Sequence, residues 1–107
     1  MLRGGRSRAA AGLVVHVRPR GVDAAPSARL GLVVGRAVGS AVVRNRVKRQ
    51  LRAAWRGLRP RVEPVDCVVV VRPAAVGLGF AALASALEGC LLGLGVLRPS
   101  LVPAVSP

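Results

Sequence analysis

Between Ala41 and Arg59 the chain reads AVVRNRVKRQLRAAWRGLR, with six arginines, one lysine and no acidic residue. This run restricts the fold more than any other stretch, because its apolar residues recur at helical spacing. At about 3.6 residues per turn, Val43, Val47, Leu51, Ala54 and Leu58 fall within an arc of about 80°. Arg44, Arg59, Lys48, Arg52, Arg56 and Arg49 spread over roughly the next 140°, with Asn45 among them. Arg46 stands apart at about 300°, as a second contact or a cap on a sheet edge. Trp55 borders the stripe, where edge packing is favoured over base stacking. No acid sits three or four residues away to offset these cations, so they repel one another on an isolated helix. Their counter-charges must come from a partner, and a polyphosphate is the first candidate.

The whole chain carries the same imbalance. Its 107 residues have a formal net charge of +13, with four acids against 17 basic residues. That charge ranks nucleic acid first, an anionic membrane surface second and acidic proteins third. The length suits one domain with a modest core, built from Val, Leu and Ala because aromatics make up only 2%. Cys67 and Cys90 lie far apart without metal-type spacing and read as buried thiols rather than a disulfide. The basic start is followed by too short an apolar run, without a small-residue cleavage site, to be a secretory signal. From Pro73 to Leu97 only Glu88 is charged, long enough to span a bilayer. Five glycines argue against a span, as does a sided pattern of Phe80, Leu83, Ala84, Leu87, Leu91 and Leu94. A helix laid on a sheet needs that division, and a lipid-facing one does not.

In chain order, residues 1–11 are basic and without period, a lead-in with disordered character. LVVHVR at 13–18 alternates as a half-buried strand and ends at Pro19. Residues 20–28 are a loop by composition, and RLGLVV at 29–34 is a second strand with Leu30, Leu32 and Val34 on one face. A glycine-containing turn leads to Ser40, an N-cap for the basic helix, which Pro60 closes. VDCVVVVR at 65–72 predicts a strand covered on both faces, and a last helix follows at about 78–94. The expected fold class is α/β, an α+β sandwich of two helices on a small mixed sheet of three to four strands. Residues 12–95 form its single domain, and 96–107 a Pro-rich tail. The basic helix joins its flanking strands in a βαβ crossover, for which right-handed is the default.

The segment GRAVGSAVVRNRVKRQLRAAWR, Gly35 to Arg56, resembles the signature of the bacterial ribonuclease P protein subunit. The likeness rests on Arg44-Asn45-Arg46, then Lys48-Arg49 and Arg52, preceded by Arg36, Gly39 and Ala41-Val42, and extends more loosely over residues 12–94. It implies a left-handed crossover, against the general default. It also implies a cytoplasmic ribonucleoprotein endoribonuclease whose catalytic RNA subunit holds the magnesium ions and removes the 5′ leader of precursor tRNA. Its partners are then ribonuclease P RNA and precursor tRNA, not DNA or membrane. On that resemblance Arg36, Arg44, Asn45, Arg46, Lys48, Arg49 and Arg52 are RNA contacts, and Arg56 continues their ladder. His16, with Val14 and Arg18 on the same strand face, lines the leader cleft. Relatives begin with a basic, phenylalanine-bearing helix that contributes to that cleft, and the resemblance places the start of this sequence beyond it. Gly35 stands where relatives usually have Ser or Lys, and the last helix lacks their basic residues.

The residues themselves offer no catalytic set. His16 is the only histidine and has no ligand at metal spacing, and Asp23, Glu63, Asp66 and Glu88 form no local pair. Asp66 reads as a strand-start residue and Glu88 as a surface one. The turn glycines lack the GxxxxGK[ST] of a phosphate loop. The alternative reading is a structural RNA-binding protein of ribosomal type.

Overall fold

The computed structural model describes residues 5–19 and 28–98. It contains a four-stranded sheet in the order β1-β2-β4-β3, from β1 (Arg6–Ala10), β2 (Leu13–Pro19), β3 (Arg29–Val34) and β4 (Val65–Val71). β1–β2 and β2–β4 are antiparallel, while β3 and β4 run parallel. Helix α1 (Ala41–Leu58) makes the β3-to-β4 connection, and α2 (Gly79–Gly93) follows β4. Within the described residues this is the expected mixed sheet with two helices. Residues 20–27 of the loop read at 20–28, the start at 1–4 and the tail from 99 onward lie outside them.

Both helices lie on one face of the sheet and on each other. Alternation decides that face: Leu13, Val15 and Val17 of β2 meet Val65, Cys67, Val69 and Val71 of β4 beneath the helices, all buried. α1 adds Val47, Leu51, Ala54, Trp55 and Leu58, and α2 adds Leu83, Ala86, Leu87, Cys90 and Leu91.

Four expectations change. β4 is covered on one face only, and Val68 in its middle is 38% exposed. A run of valines supports one-sided burial as readily as two-sided, because every second residue suffices for the core. Residues 6–10 belong to the sheet as an edge strand rather than to an aperiodic lead-in. Arg6 and Arg8 pair with the buried Val17 and Val15, so they occupy the helix side of β1. A Cβ added to Gly93 would meet the Arg8 side chain, which therefore lies across the end of α2. There an arginine stem covers apolar surface and its cation faces the carbonyl end of a helix. Phe80 in the first turn of α2 is 48% exposed, and Ala86 and Cys90 complete the buried face instead. Finally, the core continues past residue 95. Val96 and Leu97 are buried, and Leu97 bridges Val62. Arg98 secures this segment by donating from its backbone N–H to the Arg61 carbonyl, 2.7 Å, and from Nη2 to the carbonyls of Pro60 and Val62.

The β1–β2 hairpin turns at Ala11-Gly12, both at positive φ. The Gly12 carbonyl accepts from the Arg72 N–H at 2.8 Å, and at φ 83° a Cβ on Gly12 would strike the backbone of Ala74 and Ala75. Gly77, at φ 87°, has nothing within 4 Å of such a Cβ. Gly12→Ala is expected to destabilise by about 2 kcal/mol or more, and Gly77→Ala by about 1 kcal/mol from backbone strain alone. Urea unfolding of the two variants checks the difference.

Cys67 and Cys90 are free, buried thiols. Burial first, and then the nearby Cys90, pushes the Cys67 thiol up to about 12; burial also raises Cys90, partly offset by Arg8. Because the folded value lies above the unfolded one, the unfolded chain loses its proton first as pH rises. Stability should therefore decline from about pH 9 towards about pH 12. Cys67→Ala should flatten that decline in unfolding curves taken across the range.

Candidate nucleic-acid interface

The basic helix is started by local chemistry. Ser40 Oγ accepts from the Val43 N–H at 3.3 Å, and Gly39 sits against Val43, which leaves no room for a side chain without displacement. Arg44 Nε donates to the Gly39 carbonyl at 3.2 Å, folding that side chain back over the first turn. From there the apolar stripe docks α1 on the core. Trp55 joins it at 6% exposure, which fits edge packing.

Docking leaves the cations outward. Arg46, Arg49, Arg52, Arg56 and Arg59 are exposed and Arg44 and Lys48 half-buried; Asn45 and, in the turn before the helix, Arg36 are exposed as well. The carboxylates lie elsewhere: Asp66 pairs with Arg29 at 3.4 Å, Glu63 with Arg98 at 3.4 Å and Glu88 with Arg61 at 3.6 Å. Among the described residues no carboxylate pairs with a cation of α1. That ladder is unneutralised within the described fold, and guanidinium forks are groups that pair bidentately with phosphate.

A second surface is the bare side of the sheet. Register aligns Ser7, His16, Val68 and Gly31 across the four strands, with Arg18, Asp66 and Arg29 in the next row across β2, β4 and β3. They line a groove of about 800 Å³, with Val68 and Gly31 on its floor and cations and one carboxylate at its end. His16 and Arg18 are both in it. Val14 shares their face one step along β2 but is not part of the groove lining. The sequence pattern alone does not single out Arg29, Gly31, Asp66 and Val68 as site residues. Their signal is the off-phase of each strand, the positions alternating with Leu30 and Leu32 in β3 and with Cys67 and Val69 in β4. Among the described residues no three His, Cys, Asp or Glu side chains are grouped to hold a metal ion.

A family model described as Ribonuclease P matches residues 1–95. The chain belongs to the ribonuclease P protein family. With that membership come association with ribonuclease P RNA and a place in tRNA processing, as part of a ribonucleoprotein endoribonuclease. The chain is 45% identical over 96 residues to the ribonuclease P protein component of a Nocardioides species, covering 88% of this chain and 81% of that one. It is 42% identical over 95 residues to that of Symbiobacterium thermophilum, covering 88% and 81%. Among solved structures, the Staphylococcus aureus RNase P protein superposes with a TM-score of 0.78 at 26% identity, covering 88% of this chain and 84% of that one. The RNase P protein of Thermotoga maritima gives 0.72 at 29% identity, covering 81% of each. The α+β architecture is thus that of the ribonuclease P proteins.

Neutralising one α1 cation, by Lys48→Ala or Arg49→Ala, should weaken RNA binding and lower the log–log salt slope by roughly one unit for each phosphate no longer bound. Titrations over a range of salt concentrations check this, and an unchanged slope would place the residue outside the interface.

Proposed function

We propose that the outward face of α1 holds the catalytic RNA of ribonuclease P, and that the bare sheet groove guides the 5′ leader of precursor tRNA. Arg36, Arg44, Asn45, Arg46, Lys48, Arg49, Arg52 and Arg56 are the RNA contacts in this reading. His16 and Arg18, with Val14 beside them, take the leader. The observation that carries it is the set of α1 cations, turned outward with no carboxylate of the described fold paired to them. Two basic surfaces of different shape support two roles: a convex ladder fits a folded RNA, and a shallow groove with an apolar floor fits a single strand.

The reaction is hydrolysis of one phosphodiester bond, in which water supplies the oxygen. The leader departs with its 3′ hydroxyl, and the 5′ phosphate stays on the mature tRNA. The polypeptide contributes binding and orientation, and the bond is broken in the RNA. Magnesium does not fit the described carboxylates: Glu63, Asp66 and Glu88 each hold an arginine. In this reading the ions are held by the RNA. Among the described residues no helix is long and apolar enough to cross a membrane. The cytoplasm is the proposed location, as the place of tRNA maturation.

The test is cleavage of precursor tRNA by the matching catalytic RNA at low magnesium, with and without the protein. Stimulation by the protein is expected, and the Lys48→Ala/Arg49→Ala pair should shift half-maximal cleavage to higher magnesium. RNA binding without any stimulation would contradict the proposal and favour a purely structural RNA-binding role.

A further inference from the structure

Behind the edge of the sheet lies a second recess, between the start of β3 and the last turns of α1. It measures about 420 Å³ and is lined by Arg29, Arg52, Arg56 and Arg59 around the edge of Trp55. Among the described residues no carboxylate contributes to its lining. Four cations around one hollow make an anion site, and planar guanidinium groups pair with the oxygens of a phosphate. Arg29 lines this recess and also the end of the sheet groove. Its Nε donates to Asp66 Oδ1 at 3.4 Å, where the two hollows meet. β3 ends at Val34, next to the turn that starts α1, and α1 returns so that its last turns face the first residues of β3. The groove crosses the strands from Ser7 on β1 to Gly31 and Arg29 on β3, so a single strand that follows it towards β3 reaches Arg29 and then the recess.

We infer that Arg29 and Arg59, in the recess they form with Arg52 and Arg56, bind the phosphodiester backbone of single-stranded RNA leaving the sheet groove, so that leader binding continues beyond the groove to the last turns of α1, where Arg52 and Arg56 end the face that holds the catalytic RNA. The inference rests on the reading of the groove as the leader path, and adds Arg29 and Arg59 to the binding residues. Recognition here is of backbone phosphates, so it depends on leader length and salt but not on leader sequence.

The test uses the reconstituted protein–RNA complex and precursor tRNAs with leaders of increasing length. Affinity is measured for the unaltered protein, Arg59→Ala, Arg29→Ala and Arg59→Lys, with unfolding curves as a control for folding. Arg59 has no carboxylate partner among the described residues, so Arg59→Ala reports on the recess without breaking an ion pair. The unaltered protein should gain affinity when the leader becomes long enough to pass the groove. Arg59→Ala and Arg29→Ala should lose that gain and Arg59→Lys should keep most of it; short leaders should bind the unaltered protein and both Arg59 variants alike, whereas Arg29→Ala, which also lines the groove, should weaken them. The salt slope for long leaders should fall by about 0.7 for each phosphate released. A length gain that survives both alanine variants, or no length gain at all, would overturn the inference. So would weaker binding of the catalytic RNA alone with the length gain intact, because the recess would then serve that RNA. Filling the groove separates the two readings. The Gly31 Cβ position meets only Val68 Cγ2, at 3.7 Å, so Gly31→Val alters the groove more than the fold. If it leaves short-leader affinity unchanged, the groove reading fails; if it weakens short leaders while Arg59→Ala leaves long ones unaffected, only the recess fails.

Discussion

The structure depends on how a narrow apolar stripe holds down a strongly charged helix. Val47, Leu51, Ala54, Trp55 and Leu58 are the only fully buried residues of α1. Burying a Leu or Val side chain contributes about 1.5–3 kcal/mol, whereas a like-charged pair one turn apart costs about 0.2–0.5 kcal/mol. Docking therefore outweighs the repulsion among the cations. The helix can keep an unneutralised face as long as its other face has a core to meet. Charge not cancelled within the described fold remains to attract an anion.

The sheet is used in the same one-sided way. Placing both helices on one side leaves the other side of β2, β4 and β3 bare, and the groove forms there. Val68 would be a core residue in a fully covered sheet; here it is floor. At the groove end Arg18, Arg29 and Asp66 stand in one row, and Arg29 faces both the groove and the back of α1. Convex ladder, groove and recess thus lie around a single crossover, β3–α1–β4, rather than on separate lobes.

Much of this was legible in the sequence because the determining patterns are local. The Ser40 cap, the helical period from Val43 to Leu58 and the alternation in LVVHVR and RLGLVV each lead directly to an element of the fold. The unread parts depend on tertiary packing. β1 shows no apolar alternation because arginines occupy its inner side, with Arg8 laid along α2. The valines of β4 cannot say whether one layer or two will cover them. Phe80 falls in the apolar arc of α2, yet burial begins only at Leu83, a turn later. Val96 and Leu97 read as tail in the sequence, and long-range bonds tie them to the connection after α1: the Glu63 N–H donates to the Val96 carbonyl at 2.8 Å, and Arg98 donates to the carbonyls of Pro60, Arg61 and Val62. The candidate ladder followed from composition and spacing, whereas Arg29 and Gly31 acquire meaning only when register sets them beside His16 and Asp66.

Everything functional turns on whether the outer face of α1 meets RNA. Arginine-selective modification of the protein, alone and in complex with its catalytic RNA, followed by mapping of the modified residues, measures this directly. Arg46, Arg49, Arg52 and Arg56 are expected to become protected in the complex while Arg61 and Arg98, engaged with Glu88 and Glu63 in the connection that follows α1, keep their reactivity. Full reactivity of the α1 arginines in a complex that has formed would contradict an RNA-facing ladder.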